Sequence, residues 1–226
     1  MQSRQASYPL SEPLPSQRLY ATSKRAFDLV VGLVSLGLLW PLIVAIAIWI
    51  RLDSAGSPFF RQQRIGRDAK PFMMTKFRTM TLDNDDSAHR DFMARHVQGE
   101  SESRENEEGD AVFLLEDDRI TRVGKFLRRT SLDELPNLMN VLAGSMSVVG
   151  PRPPIPYEVE HYDDTAMRRL GVKPGMTGYA QIRGRGSLTF DDMVRYDLEY
   201  IEERSFWTDM KVLVATIPAV LLRRGV

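Results

Sequence analysis

LVVGLVSLGLLWPLIVAIAIWI, Leu29 to Ile50, contains no charged side chain. As an α-helix rising about 1.5 Å per residue it would extend roughly 33 Å, close to the thickness of a bilayer's hydrocarbon core. The stretch predicts a membrane helix. Pro41 stands near its middle, where a proline removes one backbone hydrogen bond and crowds the preceding turn. Lys24 and Arg25 precede the segment, and Arg51, Arg61, Arg64, Arg67, Lys70, Lys76 and Arg78 follow it. Basic residues mark the cytoplasmic side, so cations at both ends point to a re-entrant helix that breaks at Pro41 and returns to the face it left; a straight span is the alternative. A cleaved signal peptide fits less well, because the apolar run continues past Ala45-Ile46-Ala47, its single cleavage-like triplet.

Working outward, residues 1–20 are rich in Ser, Gln and Pro and are expected to be a disordered tail, residues 21–53 the membrane segment, and residues 54–226 one catalytic domain. The 226 residues, 43% of them hydrophobic, suffice for one packed core. Thirty basic residues balance thirty acidic ones, which gives no reason to expect a nucleic-acid partner. Cysteine is absent, so disulfides, thiolate metal sites and a cysteine nucleophile are excluded. SPFFRQQRIGRDAKPFMMTKFRTM reads as a basic β-hairpin turning at Gly66-Arg67-Asp68. An acidic insert from about 81 to 118 follows, read as a solvated helix and loop. Leu135, Leu138, Met139 and Leu142 recur at helical spacing, with Gly144 as the stop. A helix-like piece covers Tyr157 to Leu170, a glycine-rich stretch runs KPGMTGYAQIRGRGS, and the chain from Asp191 is helical. Its mostly apolar end, Met210 to Leu222, suits an interfacial helix or packing on the domain equally. The expected fold class is α+β and mainly helical: a compact domain with a β-hairpin, anchored by a proline-broken membrane helix and interfacial amphipathic helices.

The chemistry concentrates in RRTSLDELPNLMN, Arg128 to Asn140, where Asp133 and Glu134 stand side by side after two arginines. A carboxylate with an ordinary pKa of about 3.9 is an anion at neutral pH and can act as a nucleophile without a base. Attack on a phosphate then requires that charge be neutralised by arginines, a divalent metal or helix N-terminal N–H groups. Arg128 and Arg129 supply the first, and Glu134 is a hard oxygen ligand able to hold Mg²⁺. Ser131-Leu132-Asp133-Glu134 also matches an S-x-x-E capping box, in which Glu134 merely satisfies a backbone donor. A helix start at Pro136 would instead leave both carboxylates free.

Gly150-Pro151-Arg152-Pro153-Pro154 holds an arginine between prolines, either to grip a phosphate or as a stiff connector. Gly175, Gly178, Gly184 and Gly186, with Arg183 and Arg185, allow close approach to an anion, although ordinary turns explain them as well. Asp197, on a probable helix in RYDLEY, reads as solvated by its pattern alone. The three histidines have no ligand-like spacing.

Taken in order, KRAFD, the proline-broken apolar segment, RQQRIG, KPF, KFRTM, DRITRVGKFLRRTSLDELPNLMNVLAGSMSVVGPRP, KPGMTGYAQIRGR and RYDLEYI resemble the bacterial sugar transferase family, small monotopic phosphoglycosyl transferases that act on a polyprenyl phosphate carrier. The resemblance implies transfer of a sugar-1-phosphate from a UDP-sugar to polyprenyl (undecaprenyl) phosphate through a phosphosugar-aspartate intermediate, releasing UMP and starting exopolysaccharide, capsule or glycoconjugate assembly. It implies Asp133 as nucleophile, Glu134 assisting, both as Mg²⁺ ligands, Lys76, Arg128 and Arg152 as anion contacts, Arg185 as a nucleotide contact and Asp197 as a further polar site residue. It places the chain at the bacterial inner membrane, among its lipids, with the catalytic domain facing the cytoplasm. A homodimer is the candidate assembly. Trp40 stands before Pro41 where a small Ser is common in the family. Two other readings compete: single displacement with Asp133 and Glu134 as metal ligands only, and a membrane-anchored scaffold recruiting a partner through its acidic stretch. No stretch can be tied to the hydroxyls of a particular sugar.

Overall fold

The computed structural model describes residues 15–81, 90, 94–97, 119–184 and 188–221. Its first element, helix α1, runs Pro15–Asp53 and carries Pro41 inside one continuous helix. Two expectations are thereby corrected. Part of the presumed tail is helical, and Pro41 does not end the helix, because a proline costs one hydrogen bond while 38 flanking residues continue to supply helical ones.

The expected hairpin is present: β1 (Phe59–Ile65) and β2 (Pro71–Phe77) pair antiparallel from Phe59↔Phe77 to Ile65↔Pro71. Asp68 and Ala69 take positive φ in the tight connection. Helix α2 (Arg122–Arg129) starts at Thr121, whose side chain accepts from the Gly124 amide. A 3-10 helix over Leu132–Asn137 leads into α3 (Leu138–Ala143), which ends at Gly144 with φ 87°. A second pair, β3 (Ser147–Val149) with β4 (Gly175–Thr177), is parallel and lies partly in the stretch read as turns. Three-residue strands are too short to leave an alternating pattern in the sequence. Short helices α4 (Pro156–Val159) and α5 (Asp164–Met167), with a 3-10 turn over Arg168–Gly171, replace the single helix expected from Tyr157 to Leu170. Helices α6 (Tyr179–Arg183), α7 (Phe190–Glu203) and α8 (Phe206–Leu221) complete the described chain. The result is mainly helical, as expected. The acidic insert, save residues 90 and 94–97, lies outside the described residues.

Both arms of α1 pack on the same body. Before Pro41, Phe27 and Val31 pack against the core formed by Met74, Val141, Met146, Val149 and Tyr200. After it, Ile46 and Ile50 join Phe77, Val123 and Leu127 in a second core. Polar contacts reinforce each arm. Arg25 donates to the carbonyls of Val141 and Leu142 at 2.7 and 2.8 Å, neutralising the C-terminal end of α3. Asp28, 2% exposed, accepts from the Ser147 hydroxyl and the Val148 amide. Lys24 pairs with Asp209 at 2.9 Å, and on the other arm Asp53 accepts from the Val123 amide at 3.4 Å. Between the arms, Leu33, Val34, Leu38 and Trp40 are exposed, Leu38 by 74%. This helix is long and apolar enough to cross a membrane.

Candidate active site

The DE pair owes its placement to one strained residue. Ser131 adopts a left-handed conformation, φ 54° and ψ 18°, which reverses the chain after α2 and starts the 3-10 helix. Its side chain makes no capping bond. Neither sequence reading of this turn holds: the helical run begins at Leu132 rather than Pro136, yet Glu134 is not engaged in a capping box. Its carboxylate accepts from Lys76 Nζ of β2 at 2.6 Å. Asp133 lies 3.9 Å from the same ammonium group. The side chains of Asp133 and Lys76 are 13% and 16% exposed, that of Glu134 30%.

Two arginines complete the field. Arg128 Nε donates to the Thr79 hydroxyl at 2.9 Å, which fixes its head near the pair. Arg152 is exposed on a backbone locked from two sides: Pro153 and Pro154 carbonyls accept from Arg64 and Ile65 of β1, while Pro151 O and Gly150 N bond Gly175 and Thr177 of β4. The proline-flanked arginine is therefore held by a stiff connector, the second of the two sequence readings of that motif. Gly175 makes the approach possible, since a β-carbon there would lie 2.1 Å from the Gly150 nitrogen.

Electrostatics divide the two carboxylates. Burial pushes the Asp133 carboxyl up from its ordinary value, and the neighbouring Glu134 charge adds to this, while Lys76, Arg128 and Arg152 oppose it. Burial also acts to raise Glu134, but Lys76, Arg152 and Arg64 together outweigh it and hold that carboxyl down at about 2. Lys76 is the close counter-ion of Glu134, and burial sets Asp133 apart from a solvent-exposed aspartate.

A cavity opens beside the pair, lined by Arg64, Met74, Lys76, Glu134, Asn137, Met146, Arg152, Gly175, Met176 and Gln181 among others. Of the expected site residues it gathers Lys76, Glu134 and Arg152, with Asp133 and Arg128 adjoining. Arg185 lies outside the described residues. Asp197 is not brought to this site: 1% exposed, it accepts from Arg169 at 2.7 and 2.8 Å in a buried cluster with Glu158 and Tyr162. It is not solvated either, because the clustered partners repay its burial. Arg64, Asn137 and Gln181 escaped the sequence reading as cavity residues. Arg64 sits at a buried position of a strand that otherwise alternates weakly, and a lone charged residue gives no sign that it faces inward.

Among the described residues no group of three carboxylates or histidines could cage a metal. Mg²⁺ needs no such cage where one or two carboxylates and substrate phosphates complete its shell, and Asp133 with Glu134, the latter exchanging its Lys76 contact, would be the carboxylates to hold it.

Adjacent carboxylates facing several cations, on a domain that carries an exposed apolar helix, form an arrangement able to bind anions close to a membrane surface. The chain belongs to the bacterial sugar transferase family, whose profile matches residues 19–223. It is 42% identical over 206 residues to a galactosyl transferase, CpsE, of Streptococcus agalactiae serotype III, covering 90% of this chain and 43% of that protein. It is 38% identical over 203 residues to the exopolysaccharide production protein ExoY of Sinorhizobium fredii, covering 90% of this chain and 87% of that one. The UDP-glucose:undecaprenyl-phosphate glucose-1-phosphate transferase of Xanthomonas campestris pv. campestris is 40% identical over 210 residues, 89% of this chain and 39% of its own length. The chain thus spans less than half of two of these relatives and most of ExoY.

Proposed function

We propose that this chain transfers a sugar-1-phosphate from a UDP-sugar to polyprenyl phosphate at the membrane surface, with Asp133 as the nucleophile. The observation that carries this is the position of Asp133: a carboxylate largely shielded from solvent, 3.9 Å from the Lys76 ammonium group, where Lys76, Arg128 and Arg152 favour its ionised form against the cost of burial. A carboxylate oxygen of Asp133 bonds to the sugar-proximal phosphorus, and the bond from that phosphorus to the UMP oxygen breaks, with UMP taking the electron pair. An oxygen of the lipid phosphate then bonds to the same phosphorus and the aspartyl bond breaks, restoring the carboxylate and leaving a polyprenyl diphosphate sugar. Lys76, Arg128 and Arg152 bind the phosphates and offset repulsion between anions. Mg²⁺, held by Asp133 and Glu134, would neutralise further phosphate charge.

The membrane placement rests on the two arms of α1. Arg25 and Asp53 are 28 residues apart, roughly 42 Å along a straight helix, yet both bond the same domain. Such a domain cannot lie on both faces of a bilayer, which supports a helix that keeps both ends on one side without ending at Pro41, and the cations flanking the apolar stretch assign that side to the cytoplasm. The test is UMP release by the purified chain with UDP-sugars and polyprenyl phosphate. Asp133→Asn should lower turnover by roughly a thousandfold or more while folding and membrane binding persist. In the absence of lipid, radiolabelled sugar phosphate should remain on the native protein; direct displacement would leave the protein unlabelled.

A further inference from the structure

Three residues lining the cavity beside the DE pair each carry a buried polar atom with no hydrogen-bond partner: Arg64 Nε, Asn137 Oδ1 and Gln181 Oε1. They come from three separate elements. Arg64, on β1, is 6% exposed; its Nη1 donates to Pro153 O at 3.0 Å and its Nη2 to Gln62 Oε1 at 2.7 Å, leaving Nε unused. Asn137, 1% exposed, follows Glu134 by three residues in the 3-10 helix, and three residues per turn set both on one face. Gln181 comes from α6. Native folds leave few buried polar groups unpaired, and three around one cavity call for a hydrogen-bonding occupant, a water or a polar group of a bound ligand.

The chemistry of the orphans indicates which ligand. One is a cationic donor and two are acceptors. A phosphate offers acceptor oxygens alone, so it would satisfy Arg64 and set the two amide oxygens against an anion. A hydroxyl donates and accepts at once, and meets both kinds. Met74, Met146, Met176 and Pro153 supply an apolar part of the wall, beside the charged Lys76, Glu134 and Arg152, adaptable enough for the C–H face of a pyranose. The cavity volume is about 20 Å³, room for a hydroxyl-sized group rather than a whole ring. Glu134 and Lys76 line the same cavity, so a group seated there adjoins the phosphorus that Asp133 would attack.

Resting on the transferase reading above, we infer that this cavity reads the donor sugar: the hexose enters edge-first, one hydroxyl donating to Gln181 or Asn137 and accepting from Arg64 Nε, a neighbouring hydroxyl or a water meeting the other amide. Arg64, Asn137 and Gln181 are thereby donor-positioning residues that bond a sugar hydroxyl.

The experiment measures kcat/KM by UMP release for wild type and Gln181→Leu, using UDP-glucose, UDP-galactose and UDP-hexoses each lacking one hydroxyl. Wild type should lose at least about tenfold on one deoxy donor, because a site built to bond a hydroxyl rejects the analogue without it. Gln181→Leu should lose about as much on the full donor, lose little more on that deoxy donor, and bind UDP itself within about twofold of wild type. Melting temperature should hold or rise, since a buried orphan is removed. Asn137→Leu carries the same comparison where Gln181→Leu folds poorly, and the wild-type donor series stands without either. Equal use of every deoxy donor, additive losses, or weakened UDP binding with a lowered melting temperature would each overturn the inference. Wild-type protein that releases no UMP from any donor would instead overturn the parent reading, and this one with it.

Discussion

Lys76 is shared unequally between two neighbouring carboxylates, 2.6 Å from Glu134 and 3.9 Å from Asp133, and this asymmetry sets the pH behaviour of the site. Glu134, held at about 2 in the fold against an ordinary 4.5, contributes stability that is present above 4.5 and is lost as pH falls toward 2. Asp133 has the opposite sign. Its raised folded pKa contributes stability that is full below its ordinary 3.8 and is lost as pH rises through the folded value. In the proposed mechanism attack requires the ionised form, so the acid limb of a plot of log kcat/KM against pH should lie above 3.8. Removing the ammonium group in Lys76→Met should move that limb to higher pH and lower the plateau by about tenfold or more, measured by UMP release across pH. A limb that stays in place would show that Lys76 acts on Glu134 alone. None of this asymmetry was readable from adjacent letters in a sequence, because it depends on which carboxylate the facing strand's lysine reaches.

At the scale of elements, α1 is attached to the domain by side chains that a sequence assigns to other duties. Lys24 and Arg25 read as topological charges, yet one pairs with Asp209 and the other caps α3. Asp28 attracted no separate notice, although it bonds β3 through two donors. Asp28→Ala should leave a buried amide and hydroxyl unpaired and lower stability by about 3 kcal/mol, with Asp28→Asn costing less than half of that, measured by chemical unfolding in detergent. Gly124 limits a different contact: a β-carbon there would lie 2.0 Å from the Thr79 carbonyl oxygen, a backbone atom that cannot yield without moving the chain beside Arg128. Gly124→Ala should therefore reduce both stability and turnover, the former by about 2 kcal/mol. A fully stable Gly124→Ala would mean that the α2 junction is looser than its packing implies.

For the whole molecule, the decisive feature is that α1 packs on the domain on both sides of Pro41. The chain has no cysteine, so single cysteines at Ser23 and Ser57, outside the two ends of the apolar stretch, can be labelled without background. An impermeant thiol reagent should reach both in inside-out vesicles and neither in intact cells; labelling of one site from each side would establish a straight span. Much of this architecture was legible in the sequence. The uncharged run from Leu29 to Ile50, the hairpin pattern about Gly66, the Gly144 stop and the arginine between prolines are all local, set by side-chain solubility, backbone freedom and fixed φ, so the letters alone determined them. The same letters pointed to Asp133 and Glu134 as the proposed site of chemistry through an ordered series of motifs. Tertiary structure alone decided the rest: that Asp197 is bonded to Arg169 in a buried cluster, that Lys76 is the counter-ion of Glu134, that Pro41 lies within a continuous helix, and that Arg64, Asn137 and Gln181 surround one cavity. Those facts join residues far apart in the chain, and the free energy of a buried charge or an unpaired amide depends on what folding brings beside it.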